Sequence, residues 1–183
     1  MENSQEQTPV VQHAVRYGVI IGVIGIVLTL LAYAVDYTWL VNWKFGICMI
    51  VLTIGYVIYA GITYRKEVGG YLSYGKAFQH GFITMAVGGI IGIIFGIVLY
   101  NVIDSELPQK LTDTTIENTQ QMMANFGAPE DKIDEAIEKM KTDIPKNYTI
   151  LGQLKTYLWA LLVYAIIAAI TSLIVKKSQP EVM

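Results

Sequence analysis

The sequence predicts an all-α integral membrane protein: four transmembrane helices, with an extracytoplasmic helical hairpin between the third and the fourth. Three observations carry this. Only 15% of the 183 residues are charged and 54% are hydrophobic, whereas an ordinary soluble domain carries about 25% charge. The deficit is concentrated in four segments without a single Asp, Glu, Lys or Arg, at residues 17–35, 45–64, 82–103 and 157–175. Each is close to the roughly 20 helical residues that cross a hydrocarbon core about 30 Å thick. Finally, none of these segments shows the polar stripe expected of a helix in a soluble protein.

Taken in order, residues 1–16 read as a polar tail on the cytoplasmic side. Ala32-Tyr33-Ala34 resembles a signal-peptide cleavage site, but Glu2, Glu6 and Arg16 make a poor basic leader and the apolar run is long enough to span. A retained first helix is therefore expected. Tyr37, Trp39 and Trp43 in the next link suit the headgroup level, where amphipathic rings collect. The link at residues 65–81 is basic and glycine-rich.

Residues 104–156 form the long acidic link, read as the extracytoplasmic hairpin. A helix is expected over Thr112–Phe126, with Gly127 as its C-terminal cap. Pro129 suits the first turn of the next helix, where Glu130 and Asp131 favour the positive end of the dipole. Ile133, Ala136, Ile137 and Met140 make a narrow apolar stripe, and Pro145 is expected to stop the helix. The chain then crosses a fourth time and closes with a tail at residues 176–183.

Basic residues set the orientation. With both termini on one side, that side holds six Lys and Arg in 41 residues, while the other holds seven in 62 together with 11 of the 15 acids. The short-loop bias places both termini in the cytoplasm.

Motifs for chemistry are weak. Gly70 to Lys76 fits the phosphate-loop pattern until Ala77, where a hydroxyl for magnesium is required, and it follows a membrane helix rather than a strand. No nucleotide is expected. Ser73 and Lys76 match a nucleophile pair whose partner motifs are missing, so Ser73 reads as the cap of a helix whose first turns, Tyr74 to Gly81, lead into the third span, and Lys76 as a headgroup contact. His13 and His80 are the two histidines, without a cysteine or paired carboxylate to complete a metal site. His80 is expected at the interface. No catalytic, cofactor-binding or metal-ligating residue is assigned, and no cofactor is expected. A net charge of −2 with no basic patch points away from nucleic acid.

Glycine spacing is the strongest physical signal. Gly88, Gly92 and Gly96 share a face of the third span, and Gly18, Gly22 and Gly25 lie in the first. Small residues four apart let helix backbones approach closely in lipid. Packing of spans one and three within the chain is expected, with packing between copies as the alternative.

Two segments carry a likeness to a known family. They are Arg16-Tyr17-Gly18-Val19-Ile20-Ile21-Gly22, and Tyr64-Arg65-Lys66-Glu67-Val68-Gly69-Gly70-Tyr71-Leu72-Ser73-Tyr74-Gly75-Lys76-Ala77-Phe78. The second resembles the G-G-(Y/F)-(I/L)-S-(F/Y)-G-(K/E)-A-(F/L) segment of the bacterial family catalogued as domain of unknown function 4199. The resemblance extends over about residues 14–177 and implies four spans in a bacterial inner membrane. It supplies no catalytic residue. Arg65, Lys66, Ser73, Lys76 and His80 stand as candidate headgroup or partner contacts. The expected role is a non-enzymatic accessory or scaffold in the lipid bilayer, binding a membrane-protein partner or further copies of itself. A small oligomeric channel or transporter subunit is the alternative, and a membrane enzyme on lipid or wall precursors a more distant one.

Overall fold

A computed structural model describes residues 9–179. Six α-helices account for most of them: α1 (Val10–Val35), α2 (Trp43–Glu67), α3 (Tyr74–Val98), α4 (Leu107–Asn125), α5 (Glu130–Tyr148) and α6 (Ile150–Val175). Residues Leu99–Ile103 continue α3 as a single π turn, so that four helices are long and apolar enough to cross a membrane. They run past the uncharged segments. α1 begins at Val10 rather than at residue 17, whereas α3 begins at Tyr74, the start expected after a Ser73 cap and two turns before its uncharged stretch. Backbone hydrogen bonding has no reason to stop where charge begins, since long basic side chains at a helix end can reach back to water. As a result His13 and His80 lie within the long helices, although the charge count placed them outside.

The outward faces are apolar. On α6, Leu158, Leu162, Ile166, Ile170 and Leu173 are each more than half exposed. A water-soluble domain rarely presents a continuous apolar face of that length. The chain is a multi-pass membrane protein.

By contacts the chain divides into two units, one holding the described parts of residues 1–25, 48–92 and 159–183, the other residues 26–47 and 93–158. In the first, α1 meets α3 through glycine. A Cβ on Gly18 would stand 2.7 Å from Val87 Cβ and 2.8 Å from the Thr84 carbonyl, and one on Gly88 would lie 2.8 Å from Ile21 Cγ2. Gly61 of α2 lies equally close to Val175 of α6. Val57, Met85 and Ala168 form a buried cluster joined by Phe78, Phe82, Tyr164 and Ile167.

The second unit is built around Leu99, Leu107 and Leu111, packed by Tyr33, Leu40, Phe95, Tyr100 and Tyr148. Asp104 organises the junction before α4. It accepts the Tyr33 hydroxyl at 2.9 Å and the amides of Glu106 and Leu107 at 3.1 and 3.0 Å. Burial beside Tyr100 pushes the Tyr148 hydroxyl up to about 12, so it remains a neutral phenol.

Helices α4 and α5 pack on each other across a turn at Gly127, whose φ of +74° is the left-handed conformation of a helix cap. The amide of Ala128 closes the cap on the Met123 carbonyl at 3.0 Å. α4 begins at Leu107, one and a half turns before Thr112, because Asp104 supplies acceptors for its first amides. Pro145 does not stop α5, which continues to Tyr148. Proline forfeits one backbone bond there, and an exposed helix near its end can leave that carbonyl to water.

Candidate functional site

Two features of the first unit combine polar chemistry with concave or buried placement. They share Tyr64.

One is a buried imidazole pair. His13 of α1 and His80 of α3 are 3% and 0% exposed, with His13 Nδ1 and His80 Nε2 separated by 2.8 Å. Tyr17 stacks on His13 at 4.3 Å between centroids, and Tyr64 stacks on His80 at 5.2 Å. Thr84, one turn beyond His80, gives its hydroxyl to the His80 carbonyl at 2.8 Å. The remaining ring nitrogens, His13 Nε2 and His80 Nδ1, make no hydrogen bond with the described residues, and the former faces Glu67 Oε1 at 3.5 Å.

This geometry limits the protonation states. Two nitrogens at 2.8 Å can share one hydrogen but cannot both donate, so the rings together hold at most three protons and one net positive charge. In the neutral pair, a His80 Nε2–H donating to His13 leaves the His13 Nε2–H directed at Glu67, a favourable arrangement. The opposite tautomer would set a lone pair against that carboxylate. No group of three or more His, Cys, Asp or Glu among the described residues is arranged to hold a metal.

The other feature is a cleft of about 450 Å³, lined by Tyr64, Val68, Tyr71, Leu72, Ser73, Lys76, Lys177, Ser178 and Gln179. Its construction is local. Helix α2 is followed by Gly69 and Gly70 at φ of +92° and +86°, a turn that non-glycine residues rarely adopt. The Gly70 amide bonds to the Arg65 carbonyl at 2.8 Å, so the chain reverses at once toward α3. Between the two helices, Leu72 pairs with Lys177 in an antiparallel bridge with both bonds at 2.9 Å. That bridge ties the segment after α6 to the segment before α3. Arg65 reinforces it by donating Nη1–H to the Val175 carbonyl at 2.8 Å, satisfying an acceptor at the end of α6.

Two lysines line the cleft. Lys177 Nζ sits over the Tyr71 ring, 5.5 Å from its centroid, and no carboxylate of the described residues lies within 4 Å of the ammonium of Lys76 or Lys177. Ser73 occupies the N-cap position of α3, its carbonyl accepting the Ala77 amide at 3.0 Å. The first amides of the helix have no acceptor within it.

Of the residues expected to contact headgroups or a partner, the structure gathers Ser73 and Lys76 into the cleft and gives Arg65 a positioning task beside it. Lys66 is exposed on the last turn of α2. His80 is a correction: with no exposed surface it cannot touch a headgroup, because α3 turns that face toward His13 of α1. Gly18, Gly22 and Gly88 line the contact of α1 with α3, whereas a Cβ on Gly25 or Gly92 would meet nothing. Gly96 faces Gln153 Oε1 of α6 instead. The regular spacing therefore serves more than one neighbour.

Sequence reasoning missed His13 as the partner of His80, and Lys177 as the second cation of the cleft. The cue for the pair was faint: each histidine has a polar or aromatic residue one turn on, Tyr17 and Thr84, marking a shared face.

No curated protein and no solved structure matches the chain. A family model described as "Protein of unknown function (DUF4199)" matches residues 16–177, which include α1 from Arg16, the cleft turn and all of α6. The chain belongs to the DUF4199 family of proteins of unknown function.

Proposed function

We propose that this protein is a non-enzymatic accessory of a bacterial cytoplasmic membrane, holding another membrane component at the cleft beside α3. In this reading both termini are cytoplasmic and the α4–α5 hairpin is outside. The cleft itself is the observation that carries the reading. It is preformed by a glycine turn and a backbone bridge, and it brings together Ser73 and Lys76 from the segment that carries the likeness to the family.

The polar residues of the long helices favour binding over conduction. Thr53, Thr63, Thr84, Asn101 and Thr171 each donate to a carbonyl four residues back on their own helix, and Ser172 does the same. Groups occupied in this way are poor lining for a hydrated path.

In-cell photocrosslinking tests the reading. A photoreactive phenylalanine analogue replaces Tyr71 at the cleft or Phe126, which is 85% exposed at the hairpin turn. Capture of a foreign membrane protein or lipid in stoichiometric yield is expected from Tyr71. Capture of nothing but further copies of the chain from both positions would retire the accessory reading in favour of a self-assembled one.

A further inference from the structure

We propose that the cleft is a receptor for the phosphodiester headgroup of an anionic phospholipid. The inference rests on the reading that this cleft engages a membrane component, and it names that component's chemistry.

Depth comes first. The cleft is bounded by the elements where three apolar helices end or begin: α2 stops at Glu67, α3 starts at Tyr74, and α6 stops at Val175. In a bilayer that level is the seam between hydrocarbon and water, where lipid phosphates lie. A lipid is present there permanently.

Chemistry comes second. Lys76 and Lys177 supply two cations without a described carboxylate within ion-pair distance, and the Tyr71 ring holds one of them in place. Ser73 stands at the start of α3, where the free amides and the helix dipole favour an anion. A phosphodiester presents one negative charge and several acceptor oxygens, which matches these donors.

Shape comes third. Leu72 is 3% exposed and Tyr64 is equally buried, so the inner wall is apolar while the lysines stand at the exposed side. A phospholipid has the same division, with a glycerol and acyl root below its phosphate. A volume of about 450 Å³ lies within the range of roughly 300–1,000 Å³ typical of small-ligand sites.

Native mass spectrometry of the full-length protein, released from nanodiscs of equal phosphatidylglycerol and phosphatidylcholine, tests the proposal. The wild type is expected to retain phosphatidylglycerol, and Lys76→Gln with Lys177→Gln to lose roughly tenfold of that preference. Lys76→Arg with Lys177→Arg should keep most of it, and unchanged thermal midpoints will show that both double variants are folded. Equal retention of the two lipids by the wild type, or undiminished preference in the Gln variant, overturns the proposal. So does displacement of the lipid by millimolar glycerol 1-phosphate with equal affinity, which would identify a soluble phosphate ester as the occupant. If Tyr71 still captures a foreign protein when lipid selectivity is absent, the headgroup proposal fails alone and the accessory reading stands.

Discussion

His13 and His80 spend two polar rings to join α1 to α3 where leucines would pack, and their value lies in being satisfied together. Removing one ring strands the other in a buried site, which costs about 1–3 kcal/mol. His13→Leu and His80→Leu should each lower the thermal midpoint in detergent. The double variant should be less destabilised than the sum of the singles, with a coupling of roughly 0.5–3 kcal/mol. Strict additivity would show that the 2.8 Å contact contributes nothing. Glycines offer a second test at this scale. A Cβ on Gly152 would collide with the Lys146 carbonyl, which is backbone and cannot move aside. Gly152→Ala should therefore destabilise by about 1–3 kcal/mol or more, while Gly75→Ala, with open space around it, should be neutral or stabilising by up to about 1 kcal/mol. Chemical unfolding of the two variants side by side decides between these outcomes.

Among the elements, the junction entering α4 carries the clearest pH dependence. The Tyr33 hydroxyl, followed by Lys110 and the amides of Glu106 and Leu107, holds the Asp104 carboxyl below the ordinary carboxylate range despite some opposing desolvation. Its folded value is lower than its unfolded one, so the stabilisation is fully present above about pH 4. It is lost as pH falls through the lower folded value. Tyr33→Phe removes the leading cause and should flatten this acid limb while leaving stability near neutrality only modestly reduced. Thermal unfolding across the acid range checks it, and an unaltered acid limb would reassign the effect. The cap at Gly127 and the acidic start of α5, Glu130 and Asp131, were legible in the sequence because capping uses near neighbours. Pro145 misled because a proline ends a helix only when the lost bond and the steric clash outweigh what the rest of the helix gains.

For the whole molecule, the topology is the property that function depends on most. Cysteines placed at Ser4 and at Asn125, in a Cys48→Ala background, should label from opposite faces of intact cells. Ser4 lies outside the described residues, and Asn125 ends α4. Labelling of both from one face would remove the proposed arrangement of cytoplasmic termini and an external hairpin. It would leave the headgroup chemistry itself open to the same mass-spectrometric test.

The sequence alone determined the class, the four long helices and the hairpin, because these depend on composition over about 20 residues and on local caps. It also picked out Ser73 and Lys76, as a helix cap and a headgroup contact in the segment that resembles the family. Only the tertiary structure decided the rest. His80 turns inward because α3 presents that face to His13, 67 residues away along the chain. Lys177 enters the cleft because a backbone bridge to Leu72 brings the end of the chain back to the start of α3. Both depend on which helices are neighbours. In lipid that choice is made by close packing at a few glycines such as Gly18, Gly61 and Gly88, not by a periodicity that any one segment displays.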